Sequence, residues 1–140
     1  MVTNDDSVKK ILVLLNDSDP LLNRVTKNKF MKDMGWECII VVSYDDAIKA
    51  FEAEKPDLVI TEILIVDYKD RTGIELVAEL RSIELKIAKK VPIIIFSELD
   101  EDHYYEKAIT YGATACFSKN NISINEFIAA IQLHLNQVEG

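Results

Sequence analysis

Five short aliphatic runs, rich in β-branched residues, recur along the chain: KILVLL (10–15), ECIIVV (37–42), DLVITE (57–62), VPIIIFS (91–97) and ACFS (115–118). They are apolar nearly throughout instead of alternating with polar residues, the pattern of strands covered on both faces of a parallel sheet. Parallel neighbours need crossover connections, and the segments between the runs are of helical length. The chain therefore reads as α/β, a (βα)5 doubly wound parallel five-stranded sheet with strand order 2-1-3-4-5. At 140 residues, with 49% hydrophobic and 29% charged residues and only 4 Gly and 3 Pro, it has one domain's worth of core and no low-complexity linker. The polar ends, residues 1–8 and the closing NQVEG, are expected to be flexible tips, which leaves 9–138 as the domain.

Helix signals fall between the runs. SDPLLNRV supplies a polar cap with Pro20 in the first turn, and Met34-Gly35 closes that helix. Ser43, three residues before Asp46, starts a second helix with Ala47, Ala50 and Phe51 on its apolar face. Thr72 precedes a third, in which Ile74, Val77, Ala78 and the stem of Arg81 share one side, and whose continuation through SIELKIAKK is long. Ser123 and Glu126 form a capping box for the last helix, with Ile124, Phe127, Ile128, Ile131 and Leu135 as its stripe.

A net charge of −8 argues against nucleic acid, which calls for a clustered cationic face. The one basic run, LKIAKK at 85–90, reads as a solvated helix end. No apolar stretch approaches the ~20 residues that span a bilayer, and no signal peptide is legible, so a cytoplasmic protein without membrane contact is expected. Cys38 and Cys116 lie inside apolar runs and read as reduced core thiols. His103 and His134 have no nucleophile at an informative spacing and read as surface helix residues.

In this sheet order, ligand chemistry belongs at the carboxyl ends of strands 1, 3, 4 and 5. The polar residues there are Asn16, Asp17 and Ser18, then Glu62, Ser97 and Lys119. Glu62 interrupts PDLVITEILIVD between two apolar runs, where a carboxylate is costly unless paired or hydrogen-bonded. Acids, a hydroxyl and a lysine in one crevice can hold a hard divalent cation and an oxyanion together.

The segments KILVLLNDSDPLL, EKPDLVITE, GIELVAELR, VPIIIFSE and AITYGATACFSKN together resemble the receiver domain of two-component response regulators, a CheY-like, flavodoxin-like family, from Lys9 to about Val138. The resemblance implies that Glu62 stands at the position of the phosphoacceptor Asp, Ser97 at the hydroxyl position and Lys119 at the lysine position. It places the Mg2+-binding acids at Asp17 and Ser18, or at Asn16 and Asp17 with one inserted residue, with Glu62 as a further ligand. Either register keeps one acid of the pair, so Mg2+ is expected to bind weakly or not at all. The switch aromatic falls on Cys116, with Phe117 facing the other side of the strand. Asn120 replaces the usual proline, and since a cis bond there costs about 3–4 kcal/mol, a trans bond or strain is expected. ILIVDYKDRTG is longer than the usual loop, with Val66 in place of a proline, and is expected to bulge into solvent or to cover Glu62.

Glu carries its carboxylate one methylene farther out than Asp, and a misplacement of ~1 Å can cost a hundredfold in phosphoryl transfer. The expected function is an atypical, phosphorylation-independent receiver, not an enzyme, in which Glu62 and Lys119 partly imitate the phosphorylated state. The alternatives are a degenerate scaffold with a structural Glu62–Lys119 pair, or a receiver still phosphorylated by a histidine kinase. A flavodoxin-like nucleotide binder fits least, because no Gly-rich loop follows strand 1. Family habit places a protein partner or homodimer contact on helix 4, strand 5 and helix 5, where Tyr104, Tyr105 and Tyr111 are either anchors or core-edge residues.

Overall fold

The computed structural model describes residues 8–15, 20–99 and 101–139. Five strands, β1 (Lys10–Leu14), β2 (Glu37–Val41), β3 (Leu58–Thr61), β4 (Ile93–Ser97) and β5 (Ala115–Ser118), fall on the five aliphatic runs. All neighbours pair in parallel, in the order β2-β1-β3-β4-β5. The helices are α1 (Pro20–Val25), α2 (Tyr44–Glu54), α3 (Gly73–Ile87), α4 (Asp102–Tyr111) and α5 (Ile124–Glu139). The expected architecture is the observed one.

Successive strand residues feed opposite faces, so the sheet separates two cores. Leu12, Leu14, Val59, Ile93 and Ile95 pack with Phe51, Ile74, Val77 and Leu80 on the side of α2, α3 and α4. Ile11, Val13, Leu58, Ile60, Ile94 and Phe96 pack with Phe30, Trp36, Phe127, Ile131 and Leu135 on the side of α1 and α5. Phe127 organises the second core, stacked on Phe96 at 4.0 Å between ring centroids and edge-on to Phe117 at 5.8 Å.

The capping signals hold. Ser43 Oγ accepts from the Asp46 N–H at 3.0 Å, Thr72 and Glu75 cap each other's backbone N–H, and Ser123 and Glu126 do the same. Gly35, at φ 71°, follows the first helix, which departs from expectation by continuing as a π-helix over Thr26–Asp33. The buried Thr26 hydroxyl donates to the Leu22 carbonyl at 2.8 Å across that junction, a back-bond that bends helices. The polar cap proposed before Pro20 and the N-terminal tip, up to residue 7, lie outside the described residues.

Three expectations need correction. The closing segment is not a loose tip, because α5 runs on to Glu139. On α3 the buried face is Ile74, Leu76, Val77, Leu80 and Ile83, with Ala78 and Arg81 only half-buried. Arg81 is a polar tie, its guanidinium donating to Gly112 O at 2.8 Å, Val91 O at 2.6 Å, Thr114 Oγ1 at 3.1 Å and Glu84. In the basic run at the end of α3, Lys86 and Lys90 are exposed as expected, but Lys89 is tied down, its Nζ bonding Lys55 O at 2.7 Å and Asp57 Oδ1 at 2.9 Å.

Candidate functional site at the carboxyl ends of the strands

Glu62 follows the last residue of β3, and Lys119 the last of β5. Counting by twos from the side chains that face α1 and α5, Leu58, Ile60 and Glu62 point the same way, as do Phe117 and Lys119. The ladder pairs Thr61 with Ile95 and Ser97 with Ser118, and the Lys119 N–H donates to Ser97 O at 2.8 Å, which brings both ends level. Lys119 Nζ then meets Glu62 Oε1 at 2.9 Å and lies 5.6 Å from the centroid of the Phe96 ring. Glu62 Oε2 accepts from the Ile63 N–H at 2.8 Å. The two side chains are 9% and 13% exposed, so the carboxylate that interrupts the apolar run is paired and hydrogen-bonded, as its burial requires.

Ser97 does not join the pair among the described residues. It belongs to the Ile93, Ile95 set that faces α2 to α4, is fully buried, and its Oγ accepts from the Leu99 N–H at 3.1 Å. The same alternation turns Cys116 toward the α2–α4 core and Phe117 toward the α1–α5 core. Both cysteines are free and half-buried; burial pushes the Cys116 thiol up to about 11, and burial together with the neighbouring Glu37 charge pushes Cys38 up to about 12. No cis peptide bond occurs among the described residues, so the bond before Asn120 is trans.

Asn16, Asp17 and Ser18 lie outside the described residues. Of the proposed Mg2+ ligands, Glu62 alone is described, and both its oxygens are engaged by N–H donors. No cluster of three or more His, Cys, Asp or Glu able to hold a metal occurs among the described residues.

The loop after Glu62 is built, not slack. Its two ends are pinned together, the Gly73 N–H donating to Ile63 O at 2.7 Å, and a Cβ on Gly73 would lie 1.8 Å from Glu62 O. Only glycine allows that approach. Within the loop the Asp67 carboxylate, 3% exposed, takes Arg71 Nε at 2.8 Å, Arg71 Nη2 at 2.9 Å and the Arg71 N–H at 2.9 Å. The Arg71 guanidinium also reaches Asp45 at 2.9 Å and stacks 3.8 Å from the centroid of the Tyr44 ring, which ties the loop to the start of α2. Arg71 holds the Asp67 carboxyl well below the usual carboxylate range. Sequence reasoning missed this clasp; the i, i+4 pair of acid and arginine was its only legible trace.

On the neighbouring face, Tyr104 and Tyr105 are half-buried against the α2–α4 core, with Tyr105 Oη donating to Leu99 O at 2.7 Å, while Tyr111 is 39% exposed. His103 lies on the surface beside Tyr104. No helix among the described residues is long and apolar enough to cross a membrane.

The family model of the response regulator receiver domain matches residues 13–132. The signal receiver domain of a putative Luxo repressor protein from Vibrio parahaemolyticus is 20% identical, with a TM-score of 0.78 over 95% of this chain and 94% of that one. A two-component response regulator from Clostridium difficile is 20% identical, with a TM-score of 0.79 over 94% and 99%. The BeF3-activated N-terminal receiver domain of Klebsiella pneumoniae RstA is 22% identical, with a TM-score of 0.74 over 91% and 98%. No curated protein matches the sequence. With a family model spanning most of its length and the β2-β1-β3-β4-β5 sheet to match, the chain belongs to the response regulator receiver domain family of signal transduction.

Proposed function

We propose that this receiver works without phosphorylation, with the Glu62–Lys119 ion pair standing at the phosphoacceptor position, and that it regulates by protein–protein contact instead of catalysis. One observation carries the reading: Glu62 is nearly closed to solvent, with one oxygen on the Lys119 ammonium and the other on the Ile63 N–H. In-line transfer to a carboxylate depends on an oxygen free to approach phosphorus, and the added methylene already displaces it by about 1 Å. The pair supplies the lysine-bound negative charge that a phosphoryl group would bring. The imitation is partial, because a carboxylate offers −1 and two oxygens against about −1.5 to −2 and three. Mg2+ is not required for an ion pair of this kind.

The contact surface in this reading is α4, β5 and α5, with Tyr111 and Ile109 exposed on α4, used by a protein partner or a second copy of the chain. The test is Glu62→Gln in isotopically labelled protein. The reading expects amide shifts that extend from residues 61–64 into α4 and β5. Shifts confined to the two strand ends contradict it.

A second reading, a scaffold in which the pair is only structural, is favoured by one detail. Ser97 Oγ is engaged by the Leu99 N–H on the other side of the sheet. Under that reading a partner binds Glu62→Gln and the parent protein equally well.

A further inference from the structure

At the amino-terminal end of the sheet, opposite to Glu62, a cavity of about 320 Å3 opens between the α3–β4 connection, the start of β5 and the end of α5. Its walls are Arg81, Lys90, Pro92, Thr114, His134 and Gln137, with Val91 beneath. Among the described residues no acidic side chain lines it, although the chain as a whole carries a net charge of −8. The size is at the small end of the range for ligand pockets.

The hydrogen bonding leaves donors over. Four of the five N–H groups of Arg81 are spent, on Gly112 O, Val91 O, Glu84 and Thr114 Oγ1, so the guanidinium is fixed in place with one Nη2 hydrogen remaining. Glu84, the carboxylate that neutralises it, is itself taken up by the Val91 N–H at 2.7 Å. Thr114 Oγ1 accepts twice, from Arg81 at 3.1 Å and from the Ile93 N–H at 2.9 Å, which fills both lone pairs and leaves its own hydrogen to donate. The side chains of Lys90, His134 and Gln137 make no hydrogen bond or ion pair among the described residues, and His134, read from sequence as an ordinary surface residue, is half-buried in the cavity wall. Lys90 adds a full positive charge, and the stems of Arg81 and Lys90 with Pro92 add apolar wall.

A fixed guanidinium, an ammonium and a hydroxyl hydrogen around a small, partly apolar cavity match one ligand chemistry. We propose that this cavity binds a small organic carboxylate, its oxygens on Arg81, Thr114 and Lys90 and its apolar part against Pro92 and the aliphatic stems. The site is independent of Glu62. Arg81 joins α3 to the α4 terminus at Gly112 and to the entrances of β4 and β5.

The test is an NMR titration of the full chain with benzoate, and separately with inorganic phosphate, at constant ionic strength. Saturable amide shifts at Val91, Thr114 and the turn around Gly112 with benzoate, in a dissociation-constant range of about 0.1–10 mM, are expected. Lys90→Ala and Gln137→Ala, both at exposed positions, keep the fold, and the Lys90 variant weakens binding about tenfold by losing a charge-assisted bond. The proposal is overturned by linear, non-saturating shifts, by binding that Lys90→Ala leaves unchanged, or by saturable binding of phosphate with benzoate silent.

Discussion

Lys119 Nζ sits 2.9 Å from Glu62 Oε1 with both side chains almost shut off from water. A pair so placed is worth little over a well-packed apolar replacement, but removing one partner strands a charge. Lys119→Met is therefore expected to lower unfolding free energy by about 3–5 kcal/mol, and Glu62→Gln in the same chain to restore most of it. Urea unfolding of the parent, both single variants and the double variant measures the coupling; additive losses contradict a direct pair.

Gly73 is the second sensitive point. A methyl group there would meet Glu62 O at 1.8 Å, so Gly73→Ala must push the start of α3 away from the end of β3. A loss of more than about 3 kcal/mol in urea unfolding is expected, against the small gain that Gly to Ala gives in an ordinary helix. A neutral result would mean that the two segments are not in contact.

The Asp67–Arg71 clasp ties the loop beside Glu62 to the start of α2. Asp67→Asn is expected to speed amide hydrogen exchange between residues 63 and 72 while leaving the β-strands protected. Arg71→Lys is expected to do nearly the same, because an ammonium cannot make the forked bonds to Asp67 and stack on Tyr44. Since the Asp67 pKa is lowered in the fold, the clasp's contribution is fully present above the usual carboxylate range and is lost as pH falls through the lowered value.

Cys38 and Cys116 are expected to alkylate slowly in the native protein at pH 8 and rapidly after unfolding, with thiol pKa values of about 12 and 11 in the fold against 9.0 ordinarily. Both values are raised, so their contribution to stability is whole below pH 9.0 and declines as pH rises toward the folded values. Fast native labelling at pH 8 would show the thiols to be open to solvent.

Strand positions and order were legible because aliphatic runs of β-branched residues have few other uses. So was the meeting of Glu62 and Lys119, which needs only strand order and residue parity. The separation of Ser97 from that pair follows from the same alternation, but a polar residue at a strand end carries no sign of which side it serves. The π-helical stretch after Val25 left no periodic mark. Arg71 and Arg81 were hardest to place: helical spacing put the stem of Arg81 on the apolar face, and neither guanidinium's partners show until the tertiary fold sets Tyr44 or Gly112 beside it. Lys90 and His134 are far apart in sequence and become neighbours of one cavity only when α5 packs beside the β4 entrance.

The central claim is that Glu62, held by Lys119, does not take up a phosphoryl group. Intact mass spectrometry of the parent chain after incubation with acetyl phosphate and Mg2+ tests it most directly, with Glu62→Asp as the comparison. The account expects the parent mass to be unchanged. A phosphoryl adduct on the parent chain, mapped to Glu62, would contradict it.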